Sequence, residues 1–304
     1  MAVLPLDVAR RRVHLPSTLV PEGRLVELPG RGATYVTDTP GPDPHSPTIV
    51  LLHALGTTGL LTWFPAIEPL SRRFRVVTLD QRWHGRGIQS PEFSLVDCAD
   101  DVAALAAVLG LDEVVVGGYS MGSIVAQRVW RQHPSLVSGL VLGATTDRFQ
   151  LTPAERGFFF GMGTSMLALR GVSRSRTALR AARAAARGGG LEPSDMHEWA
   201  LREFRSTSPW AVGQALAALG RHHSRPWLGR IDVPTAVVVM MRDRVIPTSR
   251  QITLARSIPG ATIHEVDDGH AGCVLAAEKF VPKMVEAAAT VNARRRDFPR
   301  RPPR

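Results

Sequence analysis

The chain has 304 residues, of which 44% are hydrophobic and 21% charged, as is ordinary for a globular protein of one large domain or two small ones. No apolar run approaches the roughly 18–20 residues of a membrane-spanning helix, which argues against a membrane span. The formal net charge is +10. Arginine supplies nearly all of the positive charge, because Lys279 and Lys283 are the only lysines. Such a bias is weak evidence for any particular function.

The cysteines and the amino-terminal residues bear on the compartment. Cys98 and Cys273 have neither metal-ligand spacing nor the pattern of a disulfide framework, so we expect two buried thiols in a reducing compartment. The apolar run of residues 1–6 is short, and its positive charges follow it instead of preceding it, unlike those of a signal peptide. We expect a cytoplasmic protein and leave peripheral membrane contact open.

The first half of the chain predicts strands that alternate with helices. Ser94 is expected to cap a helix, with acidic residues near its positive end. Such alternation predicts a mostly parallel, doubly wound sheet of the α/β class, in which ligands bind beyond the carboxyl ends of the strands. The predicted elements are a hairpin of strands 24–28 and 33–37, strands 48–52, 74–79, 113–117 and 139–143, and helices 95–109 and 123–130.

Alternation stops after the strand at 139–143, where an alanine- and arginine-rich stretch predicts helices. It resumes with strands 235–241 and 262–266, and a final helix covers about 274–291. The prediction is therefore a helical cap inserted into an α/β core. The expected parts are an extension at 1–22, a core at 23–146 and 229–292, a cap at 147–228 and a disordered basic tail at 293–304.

A five-residue stretch, Gly118-Tyr119-Ser120-Met121-Gly122, joins a predicted buried strand to a predicted helix. Strand, G-x-S-x-G and helix in this order is the pattern of a nucleophile elbow. A serine in so sharp a turn crowds the adjacent strand and helix, and glycines remove the side chains that would clash. A glycine-rich loop with an incidental serine would contain the same five-residue pattern, so the prediction of a nucleophile depends on partners for Ser120.

A serine hydroxyl needs a base within hydrogen-bonding reach, and the base needs an orienting carboxylate. Asp243 and His270 each follow a late predicted strand, which brings them to the sheet edge where Ser120 lies. Serine, acid and histidine also occur in the chain order that this elbow uses. Asp147 and Asp267 are rival acids, although Asp267 shares a turn with His270 and such a neighbour rarely points back at the ring.

Two loops beside the elbow hold the remaining candidates. His53 and His84 follow early strands, and we expect both to hold loops through hydrogen bonds to the backbone. The N–H of Met121, the residue after the nucleophile, is expected to stabilise a developing oxyanion. The second donor of the oxyanion hole should come from the loop after the early strand, and our candidate is the N–H of Leu55.

Over residues 23–291 the chain resembles the α/β-hydrolase superfamily, and looks most like its bacterial lipase, esterase and epoxide-hydrolase-like members with a helical cap. The resemblance implies a Ser-Asp-His triad and hydrolysis of a carboxylic ester or related acyl compound, with no cofactor and no metal. Five landmarks carry it in order: His53-Ala54-Leu55-Gly56, Asp80-Gln81-Arg82-Trp83-His84-Gly85, the elbow, Asp243 before Pro247, and Gly269-His270.

The chain differs from the usual pattern of this superfamily at two positions. Ala54 stands where glycine is usual, which we expect to narrow the oxyanion loop without abolishing it, and Gly87 stands where serine is common, which we expect to be neutral. Relatives that open epoxides or remove halides use an aspartate at the elbow, so Ser120 argues against both reactions.

The sequence thus predicts a serine hydrolase that cleaves a carboxylic ester with a lipophilic acyl group through an acyl-enzyme. The same residues would serve thioester hydrolysis, C–C bond hydrolysis, acyl transfer or perhydrolysis, and the sequence does not separate these reactions. A non-catalytic ligand-binding member of the fold is the alternative from another class.

The insertion carries two features that bear on substrate and partners. Residues 158–169 are rich in Phe and Met and would either line an acyl pocket or pack as helix core. Arg176, Arg180, Arg183 and Arg187 recur at helical spacing on one face. Such a stripe is either a solvated face or a docking patch for an anionic membrane surface or an acyl carrier. No motif supports nucleic-acid binding.

Overall fold

A computed structural model describes residues 20–153, 155–157 and 196–298. The strands are β1 (Gly23–Leu28), β2 (Gly32–Thr39), β3 (Thr48–Leu52), β4 (Arg75–Leu79), β5 (Val114–Tyr119), β6 (Val137–Gly143), β7 (Thr235–Met240) and β8 (Thr262–Val266). They form one eight-stranded sheet in the order β1-β2-β4-β3-β5-β6-β7-β8. β2 is antiparallel to both of its neighbours, and all other pairings are parallel, as predicted.

Helices connect the parallel strands. Ser94 caps the helix at Leu95–Val108, where its hydroxyl accepts hydrogen bonds from two backbone N–H groups, as expected. The helices at Gly59–Ser71 and Thr248–Arg256 were not predicted. The first contains Pro65 and Pro69, which weaken a helix prediction because proline lacks a backbone donor. The helices are α1 (Gly59–Ser71), α2 (Leu95–Val108), α3 (Met121–Gln132), α4 (Met196–Arg205), α5 (Pro209–Gly220), α6 (Arg225–Leu228), α7 (Thr248–Arg256), α8 (Gly272–Leu275) and α9 (Ala277–Arg294).

Both faces of the sheet are covered, which explains why its strands are continuously apolar. Along β3, Ile49 and Leu51 pack into one buried cluster with α1 and α9, while Val50 and Leu52 pack into the other with α2, α3 and α7. Each fully buried side chain of this kind contributes about 1.5–3 kcal/mol. β3 and β5, which lead to the predicted site, therefore lie at the rigid centre of the protein.

Helices α4, α5 and α6 lie between β6 and β7, within the segment predicted as a cap. Two contacts join this segment to loops that follow central strands. Thr58 Oγ1 donates to Glu203 Oε2 of α4 over 2.5 Å, and Gly85 N–H donates to Thr207 Oγ1, in the connection between α4 and α5, over 3.1 Å. These helices therefore cover part of the edge where β3 and β4 end. The Phe/Met-rich stretch at 158–169 and the arginine stripe lie outside the described residues.

At the carboxyl end, α9 continues through Arg294, and a 3₁₀ turn follows at Arg295–Asp297. The guanidinium of Arg294 donates to Gly260 O over 2.7 Å, which fixes the end of this helix against the turn before β8. Described structure thus extends beyond residue 293, where the tail was expected to begin. Within the described ranges, no helix has the length and apolarity required to cross a membrane.

Candidate active site

Ser120 occupies the turn between β5 and α3 with an unusual backbone conformation. Its φ is 53° and its ψ is −114°, a combination that costs a non-glycine residue about 1–3 kcal/mol. The turn is held because Ser120 N–H donates to Gly143 O over 2.9 Å, at the end of the neighbouring strand β6. The serine hydroxyl consequently lies at the carboxyl edge of the sheet.

The two glycines of the elbow are required by close packing. A Cβ at position 118 would lie 2.3 Å from the carbonyl carbon of Gly122. A Cβ at position 122 would lie 2.0 Å from Leu52 O. The first amino-terminal turn of α3 is therefore packed directly on the end of β3, and no side chain fits between them.

Ser120, His270 and Asp243 form one hydrogen-bonded chain. His270 Nε2 lies 3.0 Å from Ser120 Oγ, and His270 Nδ1 lies 2.7 Å from Asp243 Oδ2. A carboxylate oxygen only accepts, so Nδ1 carries the proton of the neutral ring and Nε2 is the acceptor for the serine hydroxyl. In the described part of the chain, no other side chain is hydrogen-bonded to this ring.

The carboxylate of Asp243 is buried and surrounded by donors. Its Oδ1 accepts from the backbone N–H groups of Val245 (2.8 Å) and Ile246 (2.9 Å). Its Oδ2 accepts from Gln251 Nε2 (3.0 Å) as well as from His270. Four donors therefore fix the carboxylate in one orientation.

The rival acids contact other groups. Asp267, in the turn before His270, is paired with the exposed guanidinium of Arg242 at 2.6 and 2.5 Å. Asp147 is buried, and its Oδ2 lies 3.7 Å from Arg225 Nη1. Neither carboxylate faces the imidazole.

Tyr119, the residue before the serine, fixes the loop that presents the base. Its hydroxyl donates to the backbone carbonyl of His270 over 2.8 Å, and burial raises its pKa well above the ordinary value. The elbow thus positions both the serine and the histidine loop. The sequence alone indicates no role for Tyr119, because the second residue of G-x-S-x-G carries no pattern of its own.

The loop histidines have the structural role that was predicted. His53 Nε2 accepts from Gln81 N–H (2.8 Å) while Nδ1 donates to Ala54 O (2.8 Å), and burial lowers the pKa of His53 to about 4. His84 Nδ1 donates to Arg82 O (2.9 Å); burial, with the neighbouring His53 ring, lowers the pKa of His84 to about 3. Both rings are neutral supports for the loops beside the elbow.

The two predicted oxyanion donors come from adjacent segments, since α3 begins against the end of β3. Within the described residues, the N–H groups of Leu55 and Met121 have no hydrogen-bond acceptor. Met121 is the first residue of α3, where backbone donors lack intrahelical partners. Both groups are thus free to bind a ligand oxygen.

Gln251 is a site residue that sequence analysis missed. It lies on α7, which was not predicted, and its side chain is fully buried. The signal available in the sequence is a polar residue on the same helical face as Leu254 and Ala255, directly after the loop of Asp243.

The structure corrects the expectation for Gly87, which stands where serine is common in the family. A Cβ at position 87 would lie 2.3 Å from Gln81 O. This loop therefore requires the glycine, and its replacement of serine is not neutral.

Comparison with known proteins identifies the family. A model of the alpha/beta hydrolase fold matches residues 47–277, from the residue before β3 to the first residue of α9. The chain belongs to the α/β-hydrolase family. This α/β-hydrolase is an enzyme, and the matched region contains the whole hydrogen-bonded chain from Ser120 to Asp243.

Two curated relatives align along most of this α/β-hydrolase. The protein named "Putative carbamate hydrolase RutD" of Agrobacterium fabrum is 27% identical over 252 residues, which are 80% of this chain and 94% of that protein. The pimeloyl-[acyl-carrier protein] methyl ester esterase of Chromobacterium violaceum is 29% identical over 263 residues, which are 80% of this chain and 95% of that protein.

Solved structures share the fold. The enol-lactonase of Burkholderia xenovorans superimposes with a TM-score of 0.68 at 21% identity, over 88% of this chain and 100% of that one. At this identity the similarity establishes the architecture and leaves the substrate open.

Proposed function

We propose that this α/β-hydrolase cleaves a carboxylic ester through an acyl-enzyme on Ser120. The observation that carries the proposal is the chain of hydrogen bonds from Ser120 Oγ through His270 to Asp243, with distances of 3.0 and 2.7 Å. A nucleophile, a base in the correct tautomer and a fixed carboxylate are the groups that acyl transfer requires.

In the first half-reaction, Ser120 Oγ attacks the ester carbonyl while its proton passes to His270 Nε2. The imidazolium that forms is stabilised by the carboxylate of Asp243, which remains ionised. His270 then protonates the leaving alkoxide, and the C–O bond of the ester breaks. In the second half-reaction, water attacks the acyl-enzyme with His270 as base, which releases the carboxylic acid and restores the serine.

The negative charge on the carbonyl oxygen is stabilised by the N–H groups of Leu55 and Met121. Preorganised donors of this kind supply the largest electrostatic contribution, and loss of one costs about 3 kcal/mol. Free backbone donors in both segments and the packing of α3 on the end of β3 support this assignment.

The substrate is proposed to be an ester with a lipophilic acyl group. One apolar side chain of the inserted helices, Val212 of α5, lies against the oxyanion loop, since a Cβ at Gly56 would be 3.5 Å from Val212 Cγ2. A carbamate is the second candidate, because a relative that aligns with 80% of this chain bears that name. Attack of Ser120 on a carbamate would use the same groups and leave a carbamoyl-enzyme.

The proposal is tested by reaction with a fluorophosphonate probe and by a substrate panel. We expect Ser120 to be labelled and Ser120→Ala to lose both labelling and ester cleavage. An unlabelled Ser120, or ester cleavage retained in Ser120→Ala, would disprove the proposal. The panel of p-nitrophenyl esters, carbamates, acyl-thioesters and diketones then ranks the acyl groups by kcat/KM.

The carboxylate assignment has a matched pair of variants. Asp243→Asn should lower kcat by several orders of magnitude, because the amide stabilises the wrong tautomer of His270 and does not stabilise the imidazolium. Asp267→Asn, in the turn before His270, should keep wild-type kcat, because the carboxylate of Asp267 is paired with Arg242 and not with His270. The reverse ranking would move the acid to Asp267.

A further inference from the structure

The loop after β3 and the first turn of α1 are joined by a closed circuit of hydrogen bonds through two threonines, Thr57 and Thr62. Ala54 N lies 3.2 Å from Thr62 Oγ1, and the two threonine hydroxyls are 2.7 Å apart. Thr57 Oγ1 in turn lies 2.9 Å from Ala54 O. The circuit thus begins and ends on the backbone of one residue, Ala54.

The direction of every proton in this circuit is determined by chemistry. A carbonyl only accepts, so Thr57 donates its proton to Ala54 O and must accept from Thr62. Thr62 donates to Thr57 and accepts from Ala54 N–H, which only donates. Each hydroxyl has a donor and an acceptor, and Thr62 is 1% exposed, so water does not compete for it.

The circuit orients the peptide group between Ala54 and Leu55. Ala54 O accepts from His53 Nδ1 at 2.8 Å and from Thr57 Oγ1, and the Thr57 N–H lies 3.4 Å from it. The peptide is trans, so its C=O and N–H point to opposite sides. Anchoring the carbonyl toward Thr57 therefore aims the Leu55 N–H away from these donors, and in the described residues that N–H meets no acceptor.

The local turn is compatible with this arrangement. Residues 54–57 form a β-turn in which Gly56 has a φ of +75°, the value expected at the third position of a type II turn. Leu55 occupies the second position. The neighbouring segment is fixed as well, because a Cβ at Gly122 would lie 2.8 Å from His53 O.

We propose that Thr57 and Thr62 are positioning residues that aim the Leu55 N–H at the oxyanion. The inference rests on the proposed function. Neither threonine touches the substrate; both act through the Ala54–Leu55 peptide. A donor held in place before reaction stabilises the transition state more than the ground state, so its misalignment lowers kcat and leaves KM nearly unchanged.

The test is a kinetic comparison of Thr57→Val and Thr57→Ser with the wild type on the best ester of the panel. Valine keeps the shape and removes the donor to Ala54 O. We expect Thr57→Val to lower kcat about tenfold or more with KM within twofold, and Thr57→Ser to restore kcat. Inhibition by a trifluoromethyl ketone, whose adduct with serine carries the oxyanion, should weaken in parallel with kcat.

Thr37→Val is the matched control, because it removes a similar buried threonine pair, Thr37 with Thr78 at 2.7 Å, on strands β2 and β4. It should lower the melting temperature about as much as Thr57→Val and leave kcat and ketone inhibition unchanged. Equal kcat for Thr57→Val and Thr37→Val would overturn the inference while leaving the proposed function intact. A wild-type enzyme without Ser120-dependent ester cleavage would overturn both.

Discussion

The side-chain amide of Gln251 donates to the Oδ2 atom of Asp243, the oxygen that also accepts from His270. The Gln251 Nε2–Asp243 Oδ2 distance is 3.0 Å, and the same nitrogen lies 2.8 Å from Ile246 O. The Oε1 atom of Gln251 accepts from Met240 N–H over 3.0 Å, at the end of β7. Gln251 therefore connects the last residue of β7 to the carboxylate that holds the imidazole.

The Gln251→Glu variant tests this connection. The introduced side chain would keep an acceptor for Met240 N–H but would place a second carboxylate against Asp243 Oδ2, where a donor now lies. We expect kcat/KM to fall more than about tenfold, mainly through kcat, as measured by steady-state ester hydrolysis, because like charges this close repel. The rate of fluorophosphonate labelling should fall in parallel.

Gln89→Glu provides the control for this change. Gln89 is exposed on the loop after β4, and its side-chain amide donates to Gly87 O over 3.2 Å. We expect wild-type kinetics for this variant. Wild-type kcat/KM in Gln251→Glu would show that Asp243 is adequately positioned by its two backbone donors.

Glu203 of α4 is a buried acid at the contact between the inserted helices and the core. Burial raises the pKa of Glu203, although the hydrogen bond from Thr58 and the positive charge of Arg86 act in the opposite direction. A carboxyl whose folded pKa is raised contributes most stability below its unfolded pKa, and this contribution is lost as pH rises through the folded pKa. Glu203→Gln should therefore become more stable relative to the wild type as pH increases from about 4 to about 8.

Urea denaturation of both proteins across this pH range measures the difference in free energy of unfolding. Glu265→Gln, on the exposed face of β8, controls for the loss of one negative charge. A difference between Glu203→Gln and the wild type that stays constant with pH would be inconsistent with a raised pKa at Glu203.

His53 and His84 make the fold sensitive to acid. Their pKa values are lowered by burial to about 4 and about 3, from an ordinary value of 6.5. A histidine with a depressed folded pKa contributes stability above its unfolded pKa, and that stability is lost as pH falls from about 6.5 toward the folded value. Each proton taken up on unfolding changes the free energy of unfolding by about 1.4 kcal/mol per pH unit.

His84→Asn should reduce this pH dependence. Asparagine offers a donor for Arg82 O and does not titrate, so the slope of the free energy of unfolding between about pH 6 and 4.5 should fall by about one proton. Chemical denaturation at a series of pH values supplies both slopes. An unchanged slope in the variant would mean that His84 is not the group that titrates.

The arginine stripe at positions 176, 180, 183 and 187, which lies outside the described residues, is proposed to bind anionic lipid surfaces. Cosedimentation with vesicles containing phosphatidylglycerol should show binding that weakens with salt, since screening shortens the reach of surface charges. Reversal of the four arginines to glutamate should abolish binding. Equal sedimentation of the reversed protein would refute the proposal.

The sequence by itself determined the parallel sheet, the elbow and the order of Ser120, Asp243 and His270. These features have local causes: strands buried on both faces are continuously apolar, and a sharp strand-to-helix turn excludes side chains at 118 and 122. The same local information placed His53 and His84 on the loops beside the elbow.

The sequence favoured Asp243 as the acid, but only the tertiary structure shows the contact with the imidazole, and it shows Asp267, which is closer in sequence, turned toward Arg242. The tertiary structure also shows how four further residues orient the groups of the site through hydrogen bonds: Tyr119, Gln251, Thr57 and Thr62. Their contacts depend on how the ends of strands and the starts of helices meet in space, and hydrogen bonds between such segments leave no periodic pattern in the chain. Local sequence identifies the nucleophile, whereas long-range packing brings together the groups that orient its partners.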